Sequence, residues 1–108
     1  MRKILSITLS LCAASLLPGT AAAKLAIFAC EPEWAALAKE IGGEQVDIYS
    51  ATTAAQDPHQ IQARPSLIAR ARQADLMVCA GAELETGWLP QVQRQSANSK
   101  VQTSGAGY

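Results

Sequence analysis

An α/β fold built on a mainly parallel sheet follows from three observations. Residues 25–30 and 76–80 are short, continuous apolar runs, as strands covered on both faces require. The stretches between and after them carry apolar residues at helical spacing and are opened by Pro32 and Pro65. Strand, helix and strand alternate at the length of a βαβ unit, which makes the strands parallel.

The chain begins with an expected export signal, residues 1–23. Arg2 and Lys3 form a basic start, an apolar stretch runs from Ile4 to Leu17, and Pro18-Gly19 breaks it before Ala21-Ala22-Ala23. That small-residue pattern suits a signal peptidase cutting after Ala23. The apolar run is short for a membrane span. Leu11 stands where lipid attachment at Cys12 would need a small residue, so a lipoprotein is not expected. The periplasm is the expected destination. Cleavage removes two of the nine basic residues and none of the nine acidic ones, leaving a formal charge of −2. A nucleic-acid or anionic-lipid binder would need a basic surface instead.

The elements then follow in order. After the first strand, Trp34, Leu37, Ala38 and Ile41 recur on one face of a helix that Pro32 opens and Gly42-Gly43 stops. Residues 45–50 read as a second strand. Pro65 opens a second helix with apolar positions Leu67, Ile68, Ala71 and Ala74; Arg64, Arg70 and Arg72 form its wetter side. Residues 76–80 are the third strand, ended by Gly81. Trp88-Leu89 with Val92 suggests a short helix that Pro90 interrupts, and residues 100–102 open a fourth strand. Residues 103–108 show no periodicity.

Cys30 and Cys79 each end an apolar run. In an oxidising compartment they could pair, but a small buried thiol is the preferred reading, and metal ligation the least favoured of the three. Trp34 and Trp88 read as packing residues. Glu83 and Glu85 could contribute to a site beyond a strand end; the first turn of the following helix is their preferred place, where its dipole favours acids.

The chemistry concentrates in Gln56-Asp57-Pro58-His59, which holds the chain's single histidine. In open parallel sheets ligands bind beyond the carboxyl ends of the strands, and His59 lies in the loop leaving the second strand. Pro58 before it and Pro65 after it stiffen that loop. Imidazole is a common zinc ligand. The alternative is a loop histidine that bonds locally or faces solvent. Asp57 could orient the imidazole, although an Asp before Pro more often starts a turn. No GxSxG, GxxxxGK[ST] or HExxH motif is present, so the chain is not read as an enzyme.

An export signal, the strand at residues 25–30, Pro58-His59, Pro65-Ser66, Ala74-Asp75-Leu76 and Gly81-Ala82-Glu83-Leu84-Glu85 with Trp88-Leu89 occur in one order. In that order the chain resembles the N-terminal part of the periplasmic zinc/manganese-binding proteins of metal ABC importers, the cluster A-I solute-binding family. The resemblance covers the chain after its signal. It implies two α/β lobes joined by a long helix, with three histidines and a carboxylate holding a metal between them. His59 is then the first ligand, and residues 24–108 are a partial N-terminal lobe, truncated before the linking helix and second lobe. The implied function is capture of Zn²⁺, or Mn²⁺, as transported ligand and its delivery to a membrane permease, by a monomer when full length. An adhesin-type exported protein on the same scaffold and a non-functional truncated product are the alternatives. No organic cofactor is implied.

Overall fold

The computed structural model describes Gly19 and residues 21–108; residues 1–18 and Thr20, most of the expected export signal, lie outside the described residues. Among the described residues no helix is long and apolar enough to cross a membrane. Three strands, β1 (Leu25–Ala29), β2 (Val46–Ser50) and β3 (Leu76–Val78), form a parallel sheet in the order β2-β1-β3. The α/β class and the parallel sheet are as the apolar runs predict. Ile27 pairs with Ile48 on one side and with Leu76 on the other, so β1 is central.

Residues alternate between the two faces of this sheet, and the faces are unequally covered. Phe28 and Met77 point to the side of α2 (Pro65–Gln73) and α3 (Leu89–Ser96). There they join Leu67, Ala71, Trp88, Leu89, Val92 and Val101 in one buried cluster. Helix α1 (Pro32–Gly42) takes the opposite face. Its expected apolar stripe is present, but the sheet covers it only in part. No residue of α1 is buried, Leu37 is 49% exposed and Ile41 79% exposed. Leu25, Ile27, Leu76 and Val78 line the shallow apolar groove beside the helix.

Local chemistry explains the element ends. Gly43 terminates α1 at φ 52°, in the left-handed region where glycine carries no Cβ penalty, and its N–H donates to Lys39 O. At the far end of α2, the Asn98 amide donates to Ala71 O (3.0 Å), Arg72 O (3.3 Å) and Ala74 O (2.7 Å), so a side chain from after α3 caps the helix's C-terminal carbonyls. Of the arginines expected on the wet side, Arg70 lies over the Tyr49 ring at 5.0 Å and Arg72 Nε donates to Ser96 O.

Several expectations are corrected. Pro90 does not interrupt the last helix: it sits in the first turn of α3, where its missing N–H would have had no helical partner. Residues 100–102 do not begin a strand. Asn98 Oδ1 accepts from Lys100 N–H and turns residues Ser99–Val101 into a single 3-10 turn. The aperiodic tail is tied down as well, since Met77 N–H donates to Gly107 O (2.7 Å) and Gly107 N–H to Lys100 O (2.9 Å).

Candidate metal centre

The carboxyl ends of all three strands feed one edge of the sheet, and the candidate chemistry lies in the segments leaving them. From β2 the chain runs through a loop to a 3-10 turn at Pro58–Gln60, with Asp57 as its cap. Asp57 Oδ1 accepts twice from the histidine, from its backbone N–H at 2.9 Å and at Nδ1 at 2.8 Å. These two bonds hold the Asp57 carboxyl below the usual carboxylate range, the backbone bond being the larger cause. Both roles weighed for Asp57 are therefore filled: it starts the turn, and it orients the ring.

A proton on Nδ1 facing Asp57 leaves Nε2 as the free lone pair. Among the described residues Nε2 has no hydrogen-bond partner, and the side chain is 59% exposed. The carboxylate–histidine pair is the arrangement that commonly orients a metal-binding imidazole. One imidazole is one donor, and a closed tetrahedral site needs four. Among the described residues no further His, Cys, Asp or Glu joins His59 in a possible metal-binding group of three or more.

Two supports of this turn were not legible as functional. Trp88 Nε1 donates to Pro58 O at 2.9 Å, so the buried indole just before α3 anchors the residue preceding His59. A Cβ on Gly87 would meet His59 O at 3.2 Å; glycine allows the two loops to close on each other. The only sequence signal was a tryptophan, whose N–H needs a partner when buried.

The loops leaving β1 and β3 build a second polar cluster. Cys30 and Cys79 are joined by a disulfide, which corrects the preference for unpaired buried thiols. Their pairing follows from register: Ala29 lies opposite Val78 on adjacent parallel strands, so the next residues face each other. Glu85 is not in the first turn of a helix either. It is buried in the loop, where Oε1 accepts from Ala80 N–H at 2.9 Å and Oε2 from Gly81 N–H at 3.1 Å. Gly81, Ala82 and Glu83 all have positive φ, and successive amides in such a turn form an anion-holding concavity. Glu83 itself is exposed.

Glu31, at the end of β1, is buried against Glu85 and also accepts from Ala80 N–H, at 3.3 Å. Its Oε1 is buried without a partner. Burial, then the adjoining Glu85 carboxylate and its negative charge, pushes its carboxyl up to about 8.

Residues 27–107 match the family described as "ZnuA: Zinc-uptake complex component A periplasmic". The manganese ABC transporter substrate-binding lipoprotein PsaA of Streptococcus anginosus is 35% identical over 81 residues, covering 75% of this chain and 26% of that protein. PsaA of Streptococcus pneumoniae strain TIGR4 is 33% identical over 82 residues, 76% of this chain and 26% of the relative. The metal ABC transporter substrate-binding lipoprotein ScbA of Streptococcus cristatus is 34% identical over 68 residues, 63% of this chain and 22% of the relative. The chain thus spans about a quarter of the length of the curated relatives it matches. It belongs to the periplasmic zinc-uptake component A family, whose relatives are metal-binding components of ABC transporters.

Proposed function

We propose that the whole protein is a binding protein rather than an enzyme, one that captures a divalent transition metal outside the cytoplasm and hands it to an ABC permease. His59 supplies the first protein ligand through Nε2. The observation that carries this reading is the Asp57–His59 pair, with Nδ1 held at 2.8 Å and Nε2 left open on a turn fixed by Pro58 and Trp88. Residues 24–108 form part of the N-terminal lobe, and the remaining donors come from sequence beyond this segment. Export follows cleavage after Ala23, and the full-length protein works as a monomer.

Zinc is the proposed cargo, with manganese the alternative. Imidazole suits zinc well, whereas manganese favours oxygen donors, so the choice rests on the other three ligands. Relatives named for manganese match this chain, while the family description names zinc.

The test is zinc and manganese affinity of the full-length protein with and without His59→Ala. Loss of one ligand should weaken binding of the cargo metal by at least about tenfold, as is typical even for changes next to a metal ligand. Unchanged affinity for both metals would refute the ligand role of His59.

A further inference from the structure

A second cluster of potential metal donors, separate from His59, lies at the junction of β1 and β3. Cys30 Sγ, Cys79 Sγ and a Glu85 carboxylate oxygen lie within 4.8 Å of one another, and Cys30 and Glu85 are buried. Glu31 leans on the same Ala80 amide as Glu85 and brings the buried, unpartnered Oε1. Two sulfurs and the Glu85 carboxylate converge at one point, and Glu31 lies beside Glu85 on the same amide. As long as the sulfurs bond each other they are not free to bind a metal.

We infer that reduction of the Cys30–Cys79 bridge converts this cluster into a thiolate–carboxylate site for Zn²⁺, ligated by Cys30, Cys79 and Glu85 with Glu31 as the fourth donor. The chemistry balances with a dithiol reductant. One of its thiolates attacks the half-buried Cys79 Sγ, breaking the S–S bond and releasing Cys30 as thiolate. The second thiol of the reductant then displaces Cys79, and the reductant leaves as its own disulfide. The two electrons end on the two cysteine sulfurs, which each take up one proton. Zn²⁺ then displaces both thiol protons to solvent and binds the carboxylate as an anion. Thiolate donors select zinc over magnesium, calcium or manganese.

The position gives the site a consequence. Glu85 holds the left-handed turn after β3, and that turn leads to Trp88, which anchors the His59 loop. Reduction and zinc binding would therefore exchange one cross-link between β1 and β3 for another at the base of the same edge.

The test uses residues 1–108 carrying Cys12→Ala, which removes the third cysteine of this segment. Zinc is titrated into oxidised and reduced protein, and cobalt serves as a spectroscopic probe for thiolate ligation. The reduced form should bind one zinc with a thiolate-to-cobalt charge-transfer band, and the oxidised form should show no such band. Cys30→Ser and Glu85→Gln should each weaken that zinc site at least about tenfold. Glutamine keeps one acceptor for the Ala80 amide, and unchanged circular dichroism of the oxidised Glu85→Gln protein would assign its loss of affinity to ligation and not to the turn. His59→Ala should leave this site unchanged, which separates its fate from that of the proposed cargo site.

If reduction unfolds the chain, zinc should restore the helical circular dichroism of the Cys12→Ala protein but not of the same protein with Glu85→Gln. Absence of any cysteine-dependent zinc binding would overturn the inference. So would equal affinity in the Glu85→Gln variant.

Discussion

Replacing Glu31 by glutamine should remove a pH dependence that runs opposite to ordinary acid denaturation. In the folded chain burial and the neighbouring Glu85 push the Glu31 carboxyl from 4.5 up to about 8. The unfolded chain has no such environment and loses this proton near 4.5. Between these values the folded state binds the extra proton, so stability falls as pH rises across the window. At about 1.36 kcal/mol per pH unit the interval sets a ceiling on the order of 5 kcal/mol. Relaxation and water entry on ionisation reduce the expected loss to about 2 kcal/mol. For a domain of this size that corresponds to a Tm roughly 8–16 °C lower at pH 9 than at pH 5. Asp57 and Asp75 are shifted downward, the latter chiefly by its bond to Lys100; their stabilisation is present above 3.8 and lost only in more acidic solution. They leave the window between pH 5 and 9 to Glu31. Thermal unfolding followed by circular dichroism across that range, on the disulfide-bridged chain without added metal, is the assay. Glu31→Gln should flatten the curve and raise Tm at pH 9. Parallel curves for the parent and Glu31→Gln proteins would refute the raised Glu31 carboxyl.

Other perturbations separate the covered face of the sheet from the open one. Leu67→Ala, at a fully buried position on α2, should cost about 2–5 kcal/mol in denaturant unfolding, whereas Ile41→Lys on α1 should stay within about 0.5 kcal/mol. Trp88→Phe removes the indole donor to Pro58 O and should cost about 1 kcal/mol beyond the repacking; in the full-length protein it should also weaken metal binding several-fold in isothermal titration. The Cys30–Cys79 bridge closes a separation of 49 residues, so its reduction without zinc should cost about 4 kcal/mol by chain entropy. An unchanged denaturation midpoint on reduction would contradict that figure.

The sheet was legible because helices pack on both of its sides, fully on the α2 and α3 face and partly on the α1 face, and such strands carry continuous apolar runs such as residues 25–30. The helices were legible from period and from Pro32, Pro65 and Gly43. Misreadings came where a side chain, not periodicity, decides the backbone. Asn98 makes a 3-10 turn of residues that look like a strand start, and Glu85 holds a left-handed turn where acids looked like a helix beginning. The exposure of α1 was hidden because an apolar stripe says which face seeks cover, not whether cover is present. Pairing of Cys30 with Cys79 needed the strand order β2-β1-β3, which places two distant strand ends side by side. His59 could be singled out, with Asp57 beside it. The hold of Trp88 on Pro58 spans 30 residues and had no local sign.

The central claim is that His59 binds the cargo through Nε2 while Asp57 keeps Nδ1. Nitrogen-15 NMR of the full-length protein, with labelled histidines and His59 assigned by its alanine variant, reads both ring nitrogens separately during zinc titration. Zinc should move the Nε2 resonance to a metal-bound position while Nδ1 remains protonated and bonded to Asp57. A His59 ring whose nitrogens stay unchanged at saturating zinc, or one metallated at Nδ1, would contradict it.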